Sequence, residues 1–208
     1  MDNCMNNSFC RTLKPETRER LCARCMISTL AEGTSLKGKF KHPMILLDGL
    51  LSVRFFDRPN TILVPGDMTL TPDFTPPAAA DIVLTEAEWA DYYAGQSHHC
   101  VTPITLAYLP TDLVKELLET SVDFTRAVLD RYLFIQTQFS LYQAYLYHYN
   151  AYEAVRYVLR LTRAHGVTGL THAQIAYLSG RNRTTVTKIL HEIALAEPEL
   201  LAENAIPN

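Results

Sequence analysis

Leu170–Ile193, LTHAQIAYLSGRNRTTVTKILHEI, is the stretch whose reading decides the fold. Its pattern predicts two short helices joined by a tight turn. Thr171 is placed to cap the first helix, and Gln174, three positions on, completes a capping box. Ile175 and Leu178 give that helix an apolar side. Gly180 stands where the chain must turn sharply, and a residue without Cβ tolerates positive φ. Asn182 then suits the cap of a second helix. Val186, Ile189, Leu190 and Ile193 line one face of it at helical spacing. Ala176, Gly180, Val186 and Ile189 fall at the offsets a helix-turn-helix needs: a small residue at the crossing, a turn glycine and two apolar plugs. The opposite face carries Arg183, Thr184, Thr187 and Lys188. Any helical hairpin with a basic surface satisfies the same pattern, so the distribution of charge has to decide.

That distribution is uneven. The 208-residue chain has a net charge of −3, which does not describe a general polyanion binder. Yet Ala154–His191 contains no Asp or Glu and six bases: Arg156, Arg160, Arg163, Arg181, Arg183 and Lys188. A segment of +6 inside a chain of −3 leaves −9 for the rest. An acid-free stretch overlapping a helix-turn-helix is the footprint expected for phosphate binding. No apolar run approaches the ~18 residues of a membrane span. The opening MDNCMNNSFC is polar and lacks a signal-peptide core. A cytoplasmic protein with no membrane partner is the expectation. In a reducing compartment Cys4, Cys10, Cys22, Cys25 and Cys100 are read as metal, redox or plain thiol residues rather than disulfides.

Upstream, the pattern changes twice. Residues 1–26 form a cysteine-bearing segment in which Pro15 starts a short helix and sets Cys22 and Cys25 one turn apart. Residues 27–120 read mostly as short strands. Met44–Leu47 and Leu50–Phe56 flank Asp48-Gly49, a hairpin signal. Asn60–Val64, a Pro65-Gly66-Asp67 turn and Met68–Leu70 follow, and Val101–Leu109 reads as the last strand. Pro72–Asp81 is a proline-rich loop, and Thr85–Gly95 reads as a helix opened by a Thr85/Glu88 capping box. A small antiparallel barrel or jelly roll is the simplest closure. Residues 121–150 hold a long helix. Val128, Tyr132, Ile135, Phe139, Tyr142, Leu146 and Tyr149 alternate at spacings of four and three. That seam predicts dimerisation through the same helix of a second chain, with the tyrosine hydroxyls needing partners. Residues 151–208 hold a further helix and the helix-turn-helix.

The sequence LLDGLLSVRFF, the segment ILVPGDM and the run THAQIAYLSGRNRTTVTKIL, in that order, resemble the CRP/FNR family of bacterial transcription regulators. The resemblance implies an α+β fold. An N-terminal antiparallel β-barrel or jelly roll of the cyclic-nucleotide-binding kind is followed by a long dimerisation helix and a C-terminal helix-turn-helix of winged-helix type. It also implies a homodimer that binds double-stranded DNA and works with RNA polymerase. Arg183, Thr184, Thr187 and Lys188 match the family's base-contacting positions. There, Arg and Lys donate to guanine or phosphate, and threonine methyls meet thymine methyls. Thr171, Arg181, Asn182 and Thr185 suit phosphate positioning. Where the family often has Glu and Arg, this chain has Thr184 and Lys188, so its operator should differ.

Two departures carry weight. Beyond Pro65-Gly66-Asp67 the chain lacks the Gly-Glu segment and the Arg that hold cyclic AMP in the family; its next Arg is Arg126. A cyclic phosphate would have no cationic partner, so cyclic AMP is not expected as effector. The C-terminus ALAEPELLAENAIPN has no Gly for a wing hairpin, so the wing is expected to be reduced or absent. FNR-type members hold an iron–sulfur cluster with N-terminal cysteines. Cys4, Cys10, Cys22 and Cys25 are therefore candidate ligands for a cluster or zinc, although their spacing is not that of FNR. His98-His99-Cys100 cannot readily share one ion, because adjacent strand residues point to opposite faces. No nucleophile–base pair or phosphate loop appears, so catalysis is not expected. The competing reading is a metal- or redox-sensing barrel that acts through protein partners, with a degenerate helix-turn-helix. The acidic tail residues Glu197, Glu199 and Glu203 motivate it.

Overall fold

The computed structural model describes residues 7–37, 42–55, 58–70, 88 and 94–201. Two short helices, α1 (Ser8–Arg11) and α2 (Pro15–Arg24), precede eight strands. These are β1 (Met26–Leu30), β2 (Ser35–Lys37), β3 (Met44–Asp48), β4 (Leu51–Phe55), β5 (Arg58–Leu63), β6 (Met68–Thr69), β7 (Gln96–Cys100) and β8 (Ile104–Tyr108). Five helices follow: α3 (Thr111–Thr120), α4 (Val122–Tyr147), α5 (Ala151–Ala164), α6 (His172–Ser179) and α7 (Arg183–Ala196). A single 3₁₀ turn, Pro198–Leu200, comes after them. Among the described residues no strand follows β8. The proline-rich loop and most of the predicted helix after it lie outside the described residues.

The strands form a sandwich of two antiparallel four-stranded sheets, β1-β8-β3-β6 and β2-β7-β4-β5. Its core includes Met44, Leu46, Leu51, Val53, Leu63, Ile104 and Leu106. The Asp48-Gly49 hairpin is a correction. β3 pairs with β6 and β8, while β4 pairs with β5 and β7, so the turn carries the chain from one sheet to the other. Gly49 has φ +81°, and a Cβ there would lie 2.2 Å from the Pro103 carbonyl oxygen. Leu50 N–H donates to Thr102 Oγ1 instead of to a ladder partner. A tight Gly turn is compatible with either outcome, and the packing of Leu50 against α4 and α5 residues selects the crossing.

The cysteine-bearing segment is not a separate appendage. Phe9, Cys10, Leu13, Leu21 and Cys22 share one core with Ile45, Ala107, Leu113, Leu117, Phe124 and Ala127. Lys14 N–H donates to Asp123 at 2.9 Å, and that hydrogen bond leads the causes that hold the Asp123 carboxyl down at about 2. The Pro65-Gly66-Asp67 turn is fastened to the same region. Asp67 is buried and accepts from Val64 N–H at 2.8 Å and from Arg131 of α4 at 3.3 Å. Arg131 also donates to Ser8. Burial outweighs these partners and pushes the Asp67 carboxyl up to about 6.

Helix α4 runs 26 residues, about 39 Å at 1.5 Å per residue. The predicted seam is only partly available for a partner. Val128 packs on the core under α1 and α2, Ile135 packs on the sandwich core, and Tyr142 is 1% exposed. Phe139 and Leu146 are half-buried, and only Tyr132 and Tyr149 are exposed. The exposed apolar stripe of the helix is a different one: Val122 (81%), Leu129 (55%), Leu133 (56%) and Tyr147 (59%), with Tyr132 at its side.

Candidate nucleic-acid interface

The local chemistry of Leu170–Ile193 folds as its caps dictate. Thr171 Oγ1 accepts from Gln174 N–H, and Gln174 Oε1 accepts from Thr171 N–H at 2.7 Å. Helix α6 ends on Gly180 in the left-handed region, φ +63°. Asn182 Oδ1 accepts from Thr185 N–H at 2.8 Å and so opens α7. Ile175 and Ala176 of α6 pack with Val186, Ile189, Leu190 and Ile193 of α7, over Val155 and Leu159 of α5. This places the two helices in a fixed relation and leaves one face of α7 in solvent.

That face carries Arg183, Thr184, Thr187 and Lys188, all exposed. His191, one turn beyond Thr187, lies exposed on the same face and was not singled out by the sequence reading. His172 was also missed. It is the first residue of α6, and its Nδ1 lies 3.0 Å from Thr187 Oγ1. Periodicity gave no sign of it, because the contact joins two helices fifteen positions apart. Thr171 and Asn182 are exposed at the helix starts, and Thr185 is half-buried. Arg181 sits elsewhere: its guanidinium donates to the carbonyls of Leu146 and Tyr149, at the end of α4. It serves that helix terminus, where carbonyls lack partners, through one of its guanidinium nitrogens.

The acid-free segment is less open than its sequence implies. Glu197, just outside it, accepts from Arg156 at 2.6 and 2.9 Å and from Arg160 at 3.1 Å. Hydrogen bonds from Arg156 are the leading cause holding the Glu197 carboxyl below its ordinary range. Glu197 thus engages two of the six bases, while Arg183 and Lys188 stay on the open face of α7.

The helix pair is anchored to the sandwich through α6. Tyr177 OH donates to Ser52 Oγ at 3.1 Å, its ring meets that of His99 at 5.3 Å, and Gln174 Nε2 donates to the Val101 carbonyl at 2.7 Å. Tyr142 OH donates to the Leu178 carbonyl at 2.6 Å. Leu50, Ile62, Val64 and Val101 share a core with Tyr142, Val158, Leu161, Val167 and Leu178. His98 and Cys100 are buried while His99 faces Tyr177, so the three alternate across the pleat. Burial lowers the His99 ring below its usual titration range and raises the Cys100 thiol.

Three of the four candidate metal ligands, Cys10, Cys22 and Cys25, belong to or pack on one apolar core. Cys10 and Cys22 lie in an apolar core, Cys10 Sγ takes a hydrogen bond from Asn7, and Cys25 is half-buried at the end of α2. Cys4 lies outside the described residues. Among the described residues no three His, Cys, Asp or Glu side chains are grouped so as to hold a metal ion. No described helix is long and apolar enough to cross a membrane.

No protein-family model and no curated protein sequence matches the chain. Solved structures do. A protein from Eubacterium rectale, described as a transcriptional regulator of the crp/fnr family, is 13% identical with a TM-score of 0.54 over 91% of this chain and 87% of that one. A cyclic nucleotide-binding domain containing protein from Listeria monocytogenes is 10% identical, with a TM-score of 0.60 and 85% of each chain covered. CLP, a c-di-GMP responsive global regulator from Xanthomonas campestris, is 12% identical, with a TM-score of 0.56 over 88% of this chain and 93% of that one. At such identities the likeness is one of fold, and it extends over most of the chain: an antiparallel β-sandwich followed by helices, built as in CRP/FNR regulators.

Proposed function

We propose that this chain is a homodimeric, sequence-specific DNA-binding transcription regulator in which α7 enters the major groove. The observation that carries this reading is the capped α6–Gly180–α7 pair with Arg183, Thr184, Thr187 and Lys188 exposed on one face. The CRP/FNR-type fold supports it. Arg183 and Lys188 supply donors for guanine edges or phosphates, and the threonine methyls meet thymine. A second copy is expected on the exposed stripe of α4, through Val122, Leu129, Leu133 and Tyr147, and not on the whole of the seam read from sequence. RNA polymerase is a partner on the strength of the family resemblance alone. Cyclic AMP is not proposed as effector. The protein-partner alternative loses one support, because Glu197 is bound to Arg156 and Arg160 and is not presented to a partner.

The test is enrichment of duplexes from a random-sequence pool by the full-length protein, followed by footprinting. A two-fold-related site with half-sites about 34 Å apart is expected. R183A is expected to weaken binding by about 1–3 kcal/mol and to relax sequence preference at one position of each half-site. Failure to enrich any duplex, or full retention of binding by the R183A/K188A double variant, would overturn the reading.

A further inference from the structure

The recognition face contains a hydrogen-bonded pair, His172 Nδ1 and Thr187 Oγ1, beside a backbone carbonyl that can take the threonine proton. Thr187 Oγ1 has one proton to give and lone pairs to receive. It lies 3.0 Å from the Arg183 carbonyl, one turn back on α7, and 3.0 Å from His172 Nδ1 at the start of α6. With the hydroxyl proton directed to the Arg183 carbonyl, the oxygen can only accept from the imidazole. His172 then carries its proton on Nδ1. A neutral ring of that tautomer offers only a lone pair at Nε2, which repels a phosphate oxygen. A protonated ring keeps the Nδ1–H bond to Thr187 and adds an N–H at Nε2, a charge-assisted donor for phosphate. His172 is exposed and adjoins the face that carries Arg183, Thr184 and Lys188. It lines an open cavity of about 280 Å³ with Arg163 of α5, Thr168, Ile175, Leu190 and Leu201, and among the described residues no carboxylate lines that cavity.

We infer that His172 is a proton-gated phosphate contact of the DNA interface, oriented through Nδ1 by Thr187 of the recognition helix. This rests on the DNA-binding reading and adds a regulation to it. Protonation binds one proton per half-site, so the duplex is held more tightly where histidine is charged. Phosphate favours the charged ring, so the extra affinity is present where the ring is protonated and is lost as pH rises. Thr187 gives the contact its direction when its hydroxyl proton goes to the Arg183 carbonyl, since its oxygen then accepts from His172.

The probe is the duplex enriched by the wild-type protein from a random pool, titrated by fluorescence anisotropy from pH 5.5 to pH 8 at fixed salt. Wild type is expected to bind about a hundredfold more tightly at the acid end, about tenfold for the one charge-assisted hydrogen bond at each of two half-sites. H172Q should lose that gain, and at pH 5.5 its slope of log affinity against log salt should fall by about 2, one contact being lost in each half-site. H191Q, on the same face of α7, should keep the gain. T187S should keep it and T187V should shrink it, because valine preserves shape without an acceptor. Nitrogen-15 NMR of the free protein at neutral pH should place the ring proton of His172 on Nδ1. An H172Q variant that folds as wild type and keeps the full acid gain would overturn the inference, as would a proton on Nε2. If wild type enriches no duplex at all, the DNA-binding reading itself falls and this one with it.

Discussion

The helix pair α6–α7 and the long helix α4 were both read from periodicity, and they came out differently. In the pair, each boundary is set by a side chain that bonds its own backbone: Thr171 with Gln174, Gly180 at positive φ, and Asn182 with Thr185. Such contacts span three or four residues and are complete within the sequence. In α4 the four–three alternation correctly marks a helix, but it does not say what each column faces. Val128, Ile135 and Tyr142 turned out to face the chain's own cores, and a second stripe, Val122–Leu129–Leu133–Tyr147, took the solvent. A cap is a local bond, whereas a seam is a surface whose partner is set by distant packing.

Substitutions can break or sharpen this contrast. The largest effect is expected at Tyr142. If it belongs to the chain's own core, Y142A costs about 3–5 kcal/mol of unfolding free energy at any protein concentration. Y142F, which removes only the hydroxyl given to Leu178, costs about 1 kcal/mol. A seam residue would instead show stability that depends on concentration, and denaturant melts across a hundredfold dilution series separate the two. In the pair, G180A forces a side chain into left-handed backbone, with its Cβ 3.2 Å from Leu146, and should cost about 1–2 kcal/mol. N182A should cost about 1 kcal/mol by removing one cap. The smallest effect on folding is expected on the exposed stripe. L129S/L133S should stay within about 0.5 kcal/mol of wild type in the unfolding of the single chain. The same variant should convert a dimer to a monomer in analytical ultracentrifugation; a dimer that persists would place the interface elsewhere.

The rest of the molecule follows the same division. Turn residues announced Gly49 and Gly66 as turns. They could not say that the first changes sheets, because that depends on Leu50 meeting helices more than ninety residues away. Strand β7 (Gln96–Cys100) was hidden by its two histidines and its low hydrophobicity, although His98 and Cys100 are buried. At the interface the exposed faces of α7 were legible from helical spacing. His172 was not, since its link to Thr187 crosses between helices. The electrostatic reading of the acid-free segment missed Glu197 because the residue that neutralises Arg156 and Arg160 lies beyond its end. Arg181 looked like a surface base because nothing local reveals that the end of α4 lies beside it.

That position of Arg181 gives α4 the part of a strut. Arg131 pins the helix to Asp67 of the sandwich, and the far end is held by Arg181, in the turn between α6 and α7. From Arg131 to Tyr147 the strut is about 24 Å long. Ile135 and Tyr142 hold that span against the sandwich, so the sandwich sets the position of the α6–α7 turn along its whole length.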